Sequence, residues 1–290
     1  MRLHEKLARN SFTIIVEVFP PTFGAEEAKE PLLGVRQKTR DIVARVKKVE
    51  NLADAILVAD LKEPGRLKLS SVFTAAVLKQ ELGVEAIPVI TARDMNRPAI
   101  RALVLTALAY ELHSLMLVWG DKFAEADGAK NVYDYPSLSE QISDTRALTN
   151  RADSKATILA PVDLSKLDTE RGLGIAESRI SSGADILLAQ PPTTDALNTL
   201  DEHLRTLERH NLASKVLLNV FPFRSREDIE SCRARFGWRI PTEMEKIAAR
   251  GEASLLKAAK AVVEGAREAK APGVFISTRG RPELARYMLD

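Results

Sequence analysis

The run Phe12-Thr-Ile-Ile-Val-Glu-Val18, followed at once by Phe19-Pro20-Pro21, has the composition of a strand buried on both faces and carries one carboxylate near its end. Its β-branched residues favour an extended chain. The Pro-Pro pair then stops it, because proline has no N–H for a ladder and holds the preceding residue extended. Glu17 therefore sits at the C-terminal mouth of a strand, where barrel and open α/β enzymes keep their chemistry.

Seven more apolar runs follow the same plan. Strands are expected near 12–18, 54–59, 85–91, 114–119, 156–161, 185–190, 215–220 and 273–277. Each is short, rich in Val, Ile, Leu and Ala, and apolar on both faces. Between them the spacing predicts helices over Val35–Val49, Ser70–Leu82, Arg97–Ala109, Leu138–Asn150, Glu170–Ser182, Asp195–His210, Arg226–Phe236 and Leu255–Ala269. Strand and helix alternate with no linker or repeat break, which predicts an α/β fold of one domain over residues 1–290, a (β/α)8 TIM barrel. An open doubly wound sheet is the competitor.

Composition narrows the function. Lys and Arg exceed Asp and Glu by two over 290 residues, so net charge gives no argument for nucleic acid or a membrane surface. The single cysteine, Cys232, excludes an internal disulfide and a multi-cysteine metal site, and fits a reducing, cytoplasmic setting. Met1-Arg-Leu-His-Glu-Lys-Leu7 has no apolar core of signal-peptide length. Ala99–Trp119 is the most span-like segment, but Glu111 and His113 interrupt it, and it reads as a buried helix running into a buried strand. No Gly-x-Gly-x-x-Gly follows the first strand and no Walker-type loop is present. The four histidines are scattered, so no metal site is expected.

Polar residues collect at the strand ends: Glu17, Asp60, Thr91 with Arg93 and Asp94, Gly120-Asp121, Asp163, Gln190, Asn219, and Thr278 with Arg279 and Arg281. Convergent polar groups at one rim are what a ligand pocket needs. For Asp60, Asp94 and Asp163 helix capping or loop solvation is the better explanation. Glu17 and Gln190 differ, because Gln190-Pro191-Pro192 repeats the Pro-Pro stop on the sixth strand.

These residues resemble the methylenetetrahydrofolate reductase family. Glu17-Val18-Phe19-Pro20-Pro21 is similar to the family's Glu-x-Phe-Pro-Pro, and Leu117-Val118-Trp119-Gly120-Asp121 to its Leu-Arg-Gly-Asp strand end. Ser182-Gly183-Ala184-Asp185 through Gln190 matches its Ala-Gly-Ala strand closing on Gln. Arg239-Ile240-Pro241 matches its Arg-Ile-Pro, and Val274–Thr278 takes the place of its His-Phe-Tyr-Thr. The family's Tyr-Pro-Glu-x-His-Pro-Glu segment is replaced by Leu159-Ala160-Pro161-Val162-Asp163-Leu164, its Thr-Tyr-Gly-Ala by Val58-Ala59-Asp60-Leu61-Lys62, and the Arg before Gly120-Asp121 by Trp119. Several of these positions touch flavin in the family, so the resemblance implies the fold and a folate-type substrate more strongly than it implies FAD.

The resemblance implies a cytoplasmic oxidoreductase that reduces 5,10-methylene-tetrahydrofolate to the methyl form, with NAD(P)H as donor and FAD as cofactor. Glu17 would be the general acid and Asp121 the acidic residue near flavin and pterin. It places Gln190, Phe221, Thr278 and Arg279 against the folate or related pterin, and Thr91, Gly120, Asp121 and Arg179 around the cofactor. Each has a plainer alternative: a strand-end hydroxyl for Thr91, a solvated helix charge for Arg179, core packing for Phe221. Two rival readings remain: a flavin-independent or divergent pterin enzyme, including one that oxidises methyl-folate, and a noncatalytic partner subunit with this fold. A homo-oligomer or a complex with another subunit fits either.

Overall fold

A computed structural model describes residues 3–9, 11–23, 31–60, 67–123 and 130–290. Its strands are β1 (Thr13–Val18), β2 (Thr22–Phe23), β3 (Ala55–Val58), β4 (Leu67–Lys68), β5 (Ala86–Thr91), β6 (Ser114–Val118), β7 (Thr157–Asp163), β8 (Ile186–Gln190), β9 (Val216–Val220) and β10 (Gly273–Ile276). Eight of them close a parallel barrel in the order β1-β10-β9-β8-β7-β6-β5-β3. The pairing of Thr13–Val16 on β1 with Gly273–Ile276 on β10 closes the ring and excludes the open doubly wound sheet. Gly273 is needed there, since a Cβ would lie 2.1 Å from the Thr13 carbonyl oxygen.

The helices are α1 (Leu3–Ala8), α2 (Pro31–Lys47), α3 (Ser71–Leu82), α4 (Arg97–Ala109), α5 (Leu138–Arg151), α6 (Glu170–Ser181), α7 (Thr199–Arg209), α8 (Arg226–Phe236), α9 (Glu243–Ala248), α10 (Glu252–Glu268) and α11 (Leu284–Leu289). The expected helix from Asp195 begins later, because the Asp195 carboxylate accepts the N–H groups of Leu197, Asn198 and Thr199 and spends those residues on a turn. The Ala99–Trp119 segment is α4 followed by β6 as expected. One correction applies to it: α4 is buried on one face only, through Ile100, Val104 and Ala107, and leaves Leu105 exposed. Among the described residues no helix is long and apolar enough to cross a membrane, and no three metal-ligating side chains cluster.

Of three apolar bodies among the described residues, two build the barrel. The larger lies between the barrel wall and the helices. The smaller fills the barrel and contains Ile15, Leu57, Val89, Leu188, Leu217 and Phe275, with Leu3 of α1 plugging the N-terminal end. Each such side chain contributes roughly 1.5–3 kcal/mol on burial. At the other end β2 pairs antiparallel with β4, tying the chain after Pro21 to the chain that leaves β3. Of the segment Val58-Ala59-Asp60-Leu61-Lys62, the last two residues lie outside the described residues, as do Met1 and Arg2 of the N-terminus.

Candidate functional site

Side chains alternate along a strand, so a residue two positions after an interior one also faces the interior. Glu17 follows Ile15, Thr91 follows Val89, Gln190 follows Leu188 and Asn219 follows Leu217, and all four of those predecessors belong to the interior cluster. Register agrees for the last, since Asn219 pairs with Phe275 and Phe275 with Ile15. Four polar side chains therefore line the inner wall of the barrel toward its C-terminal mouth. Three carry buried polar atoms with no hydrogen-bond partner: Thr91 Oγ1, Gln190 Oε1, and both Nδ2 and Oδ1 of Asn219. Each orphaned group costs about 1–3 kcal/mol, which a fold tolerates where a ligand supplies the missing partners.

Glu17 is the charged member. Burial pushes its carboxyl up from 4.5 to about 7, against the smaller opposing pull of the Arg279 N–H and guanidinium. The Arg279 N–H donates to Glu17 Oε2 at 3.3 Å, from a residue at φ 52°. The Thr278 hydroxyl donates to the Glu17 carbonyl at 2.6 Å. Thr278 and Arg279, expected against the substrate, thus lie beside Glu17 and fix its backbone and its carboxylate. The Arg279 guanidinium also pairs with Asp228 and lies 5.9 Å from the centre of the Phe221 ring.

Phe221 is packed. Its ring lies 4.7 Å from that of Phe223 and meets Trp238 edge-on at 5.4 Å, within a cluster that includes Ile229, Cys232 and Met244. Arg179 is half-buried, and its guanidinium donates to the Pro161 carbonyl at the end of β7. Burial lowers its pKa. Asp163 caps the turn after β7 by accepting from the N–H and hydroxyl of Ser165, Asp60 pairs with Lys68, and Asp94 accepts from Arg93 Nε at 2.9 Å. Structural explanations thus account for all three aspartates.

At the ends of β5 and β6 the chain turns tightly. Gly120 has φ 87°, and a Cβ on it would lie 2.5 Å from Thr91 Cγ2 and 3.0 Å from Arg93 Cβ. Only glycine fits. The Asp121 carboxylate is exposed, while its main-chain carbonyl accepts from Arg93, whose guanidinium stacks 3.6 Å above the Phe123 ring. Trp119 stacks on Tyr133 at 4.7 Å, and the Tyr133 hydroxyl donates to the Gly120 carbonyl.

The structure therefore brings Glu17, Thr278 and Arg279 into contact, sets Thr91, Gly120 and Asp121 at one neighbouring pair of strand ends, and faces Gln190 into the same mouth. Arg179 stands apart on α6. Asn219, named among the strand-end polar residues but given no role by the resemblance, is the one whose weight sequence reasoning underrated. Its only sequence signal is an Asn inside an apolar strand before Phe221-Pro222, weaker than the Pro-Pro stops after Glu17 and Gln190.

A flavin fits this set in part. The unpartnered Thr91 hydroxyl suits a ring edge, and Arg179, the cation expected near the diphosphate, gives one of its five donors to the Pro161 carbonyl, while Leu159–Leu164 stands where the family has a flavin-contacting segment. The described residues do not complete a flavin site. Volume alone does not mark the site either. The larger cavity, about 750 Å3, opens at the N-terminal end between His4, Arg146 and Lys215, whereas one of about 390 Å3 lies at the rim against Phe19, Pro21, Arg45 and Arg279.

Comparison with known proteins agrees on the fold. Residues 2–253 match the methylenetetrahydrofolate reductase family. Among solved structures, an uncharacterized protein from Clostridium thermocellum that binds two copies of 5-methyl-5,6,7,8-tetrahydrofolic acid superposes with a TM-score of 0.63 at 14% identity, over 98% of this chain and 97% of that one. Oxaloacetate acetylhydrolase in complex with oxalate superposes with a TM-score of 0.55 at 11% identity, over 98% of this chain and 81% of that one. No curated protein matches the chain.

Proposed function

Because the chain belongs to the methylenetetrahydrofolate reductase family, we propose that it interconverts 5,10-methylene-tetrahydrofolate and 5-methyl-tetrahydrofolate, with Glu17 as the acid and NAD(P)H as the source of hydride. The observation that carries this reading is an inward carboxyl, raised to about 7, among unpartnered polar groups at the barrel mouth. The structural neighbour that binds 5-methyl-5,6,7,8-tetrahydrofolic acid supports the substrate class.

The chemistry needs one proton and one hydride. The Glu17 carboxyl gives its proton to N10, the N10–CH2 bond breaks, and the ring opens to an N5 iminium cation. Hydride then adds to the exocyclic carbon and leaves the N5-methyl product. An acid with a pKa near the working pH suits this step. The carboxylate left behind meets the Arg279 N–H at 3.3 Å, which stabilises it. Gln190 Oε1 and Thr91 Oγ1 offer polar contacts to hold the ring system. In reverse, carboxylate Glu17 accepts the proton as methyl-folate is oxidised.

The replacement of the family's Tyr-Pro-Glu-x-His-Pro-Glu segment by Leu159–Leu164 favours a second reading, in which hydride passes straight from the nicotinamide to the substrate. The visible spectrum of the purified protein separates the two. A flavin band bleached by NAD(P)H supports the family's cofactor, and a colourless protein that oxidises NAD(P)H with methylene-folate supports direct transfer. The proposed activity itself is tested by Glu17→Gln, expected to lower turnover about 10²–10⁴-fold while retaining binding of 5-methyl-tetrahydrofolate. Unchanged turnover in that variant would remove Glu17 from the mechanism.

A further inference from the structure

Asn219 is fully buried on the interior face of β9, yet neither atom of its amide has a partner. No hydrogen bond to side chain or main chain explains an amide here in place of the leucine found two residues earlier. It stands beside another carboxamide. Leu188 of β8 pairs with Leu217 of β9, and Gln190 and Asn219 each lie two residues further on, on the interior face at the C-terminal ends of these adjacent strands; beyond that pair the strands next meet where Thr193 bridges Val220. Gln190 Oε1 is likewise buried and without a partner.

A carboxamide presents one acceptor beside one donor. Its complement is a cyclic amide edge, a ring N–H next to a ring C=O, which a carboxamide meets with two parallel hydrogen bonds. A carboxylate offers acceptors only and suits an edge made of two donors. The inner wall at β8 and β9 presents two carboxamides.

We propose that Asn219 is a specificity residue, pairing with the cyclic amide edge of a reduced pterin beside Gln190 and so anchoring the ring while Glu17 acts at its other end. This rests on the folate reading above and adds to it a residue and a ring edge. The isoalloxazine of a flavin carries the same kind of edge, so the two sources must be told apart by experiment.

The test is Asn219→Leu, a near-isostere that removes the orphaned amide. Calorimetric titration with 5-methyl-tetrahydrofolate, titration with FAD, and thermal melting of the unliganded protein are measured side by side. The expected result is roughly 10- to 100-fold weaker methyl-folate binding, the scale of two lost neutral hydrogen bonds, unchanged behaviour toward FAD, and a melting temperature equal to or above the parent's. A parent that binds methyl-folate and a variant that binds it equally well would overturn the role of Asn219 and leave the folate reading standing. A parent that binds no methyl-folate would overturn both. Loss confined to FAD would assign the amide edge to flavin and overturn the pterin assignment. A variant that melts far below the parent would show the amide to be structural, and Asn219→Ser with intact binding would confirm that outcome.

Discussion

The barrel interior has two ends built on the same strands and the same face, and they are made of opposite chemistry. Ile15, Val89, Leu188 and Leu217 form a dry, interlocked layer, and two residues further along those strands stand Glu17, Thr91, Gln190 and Asn219. No change of backbone separates the layers. Ile15, Val89, Leu188 and Leu217 carry no polar side-chain atom, whereas three residues of the upper layer carry unpaired ones. The Thr157 hydroxyl, two residues before Leu159 at the N-terminal end, is unpartnered too, so it is the grouping of three that marks the upper layer as the place where a ligand completes the structure.

The largest effect that would break the contrast is on turnover, through the Glu17→Gln substitution already described. Transplanting the upper chemistry downward comes next: Leu217→Asn should cost about 3–5 kcal/mol in urea unfolding, the sum of a lost leucine and a buried unpaired amide. A cost below about 1 kcal/mol would mean that the lower layer is wet. At the rim, Gly120→Ala should cost about 1–3 kcal/mol by the same measurement, since it forces a side chain into the left-handed region and against Thr91 Cγ2.

The smallest effect is pH-dependent. The folded-state pKa of Glu17 is raised, so its protonated form suits the fold and its charged form does not. Stability from this group is complete below about pH 4.5, falls as the pH rises toward 7, and is flat above. The whole shift corresponds to roughly 3 kcal/mol at 1.36 kcal/mol per pH unit, reduced to about 1–2 kcal/mol for a half-buried group. Glu17→Gln should therefore melt above the parent at pH 8, and the gap should close by pH 5. A gap of the same size at both would detach the effect from titration.

Much of this was legible in the sequence. The limits of α4 and α8 follow from their caps, Asn96 with Pro98 in the first turn and Ser225 with Gly237 at the close. The short helices α1, α9 and α11 span six residues each, too few for a periodic signal. Closure was expected from eight strand–helix units, and the pairing of β1 with β10 decides it against the open sheet, which has the same alternation. At the site, Glu17 and Gln190 announced themselves by breaking an apolar run before Pro-Pro. Thr278 and Arg279 were seen at the right strand end, but their contact with Glu17 joins residues 261 and 262 positions apart and has no local trace. Asn219 was visible as a strand-end polar residue, but its weight rests on full burial and an unmet amide, neither of which a sequence shows.

In the proposed function everything turns on residue 17 holding a proton near neutral pH inside the barrel mouth. Carbon-13 NMR of the protein labelled at glutamate Cδ, with the resonance assigned by its loss in Glu17→Gln, reads this without any substrate. A single carboxyl should titrate near pH 7, well apart from the other glutamates. A Glu17 signal that titrates near 4.5 with the rest would contradict it.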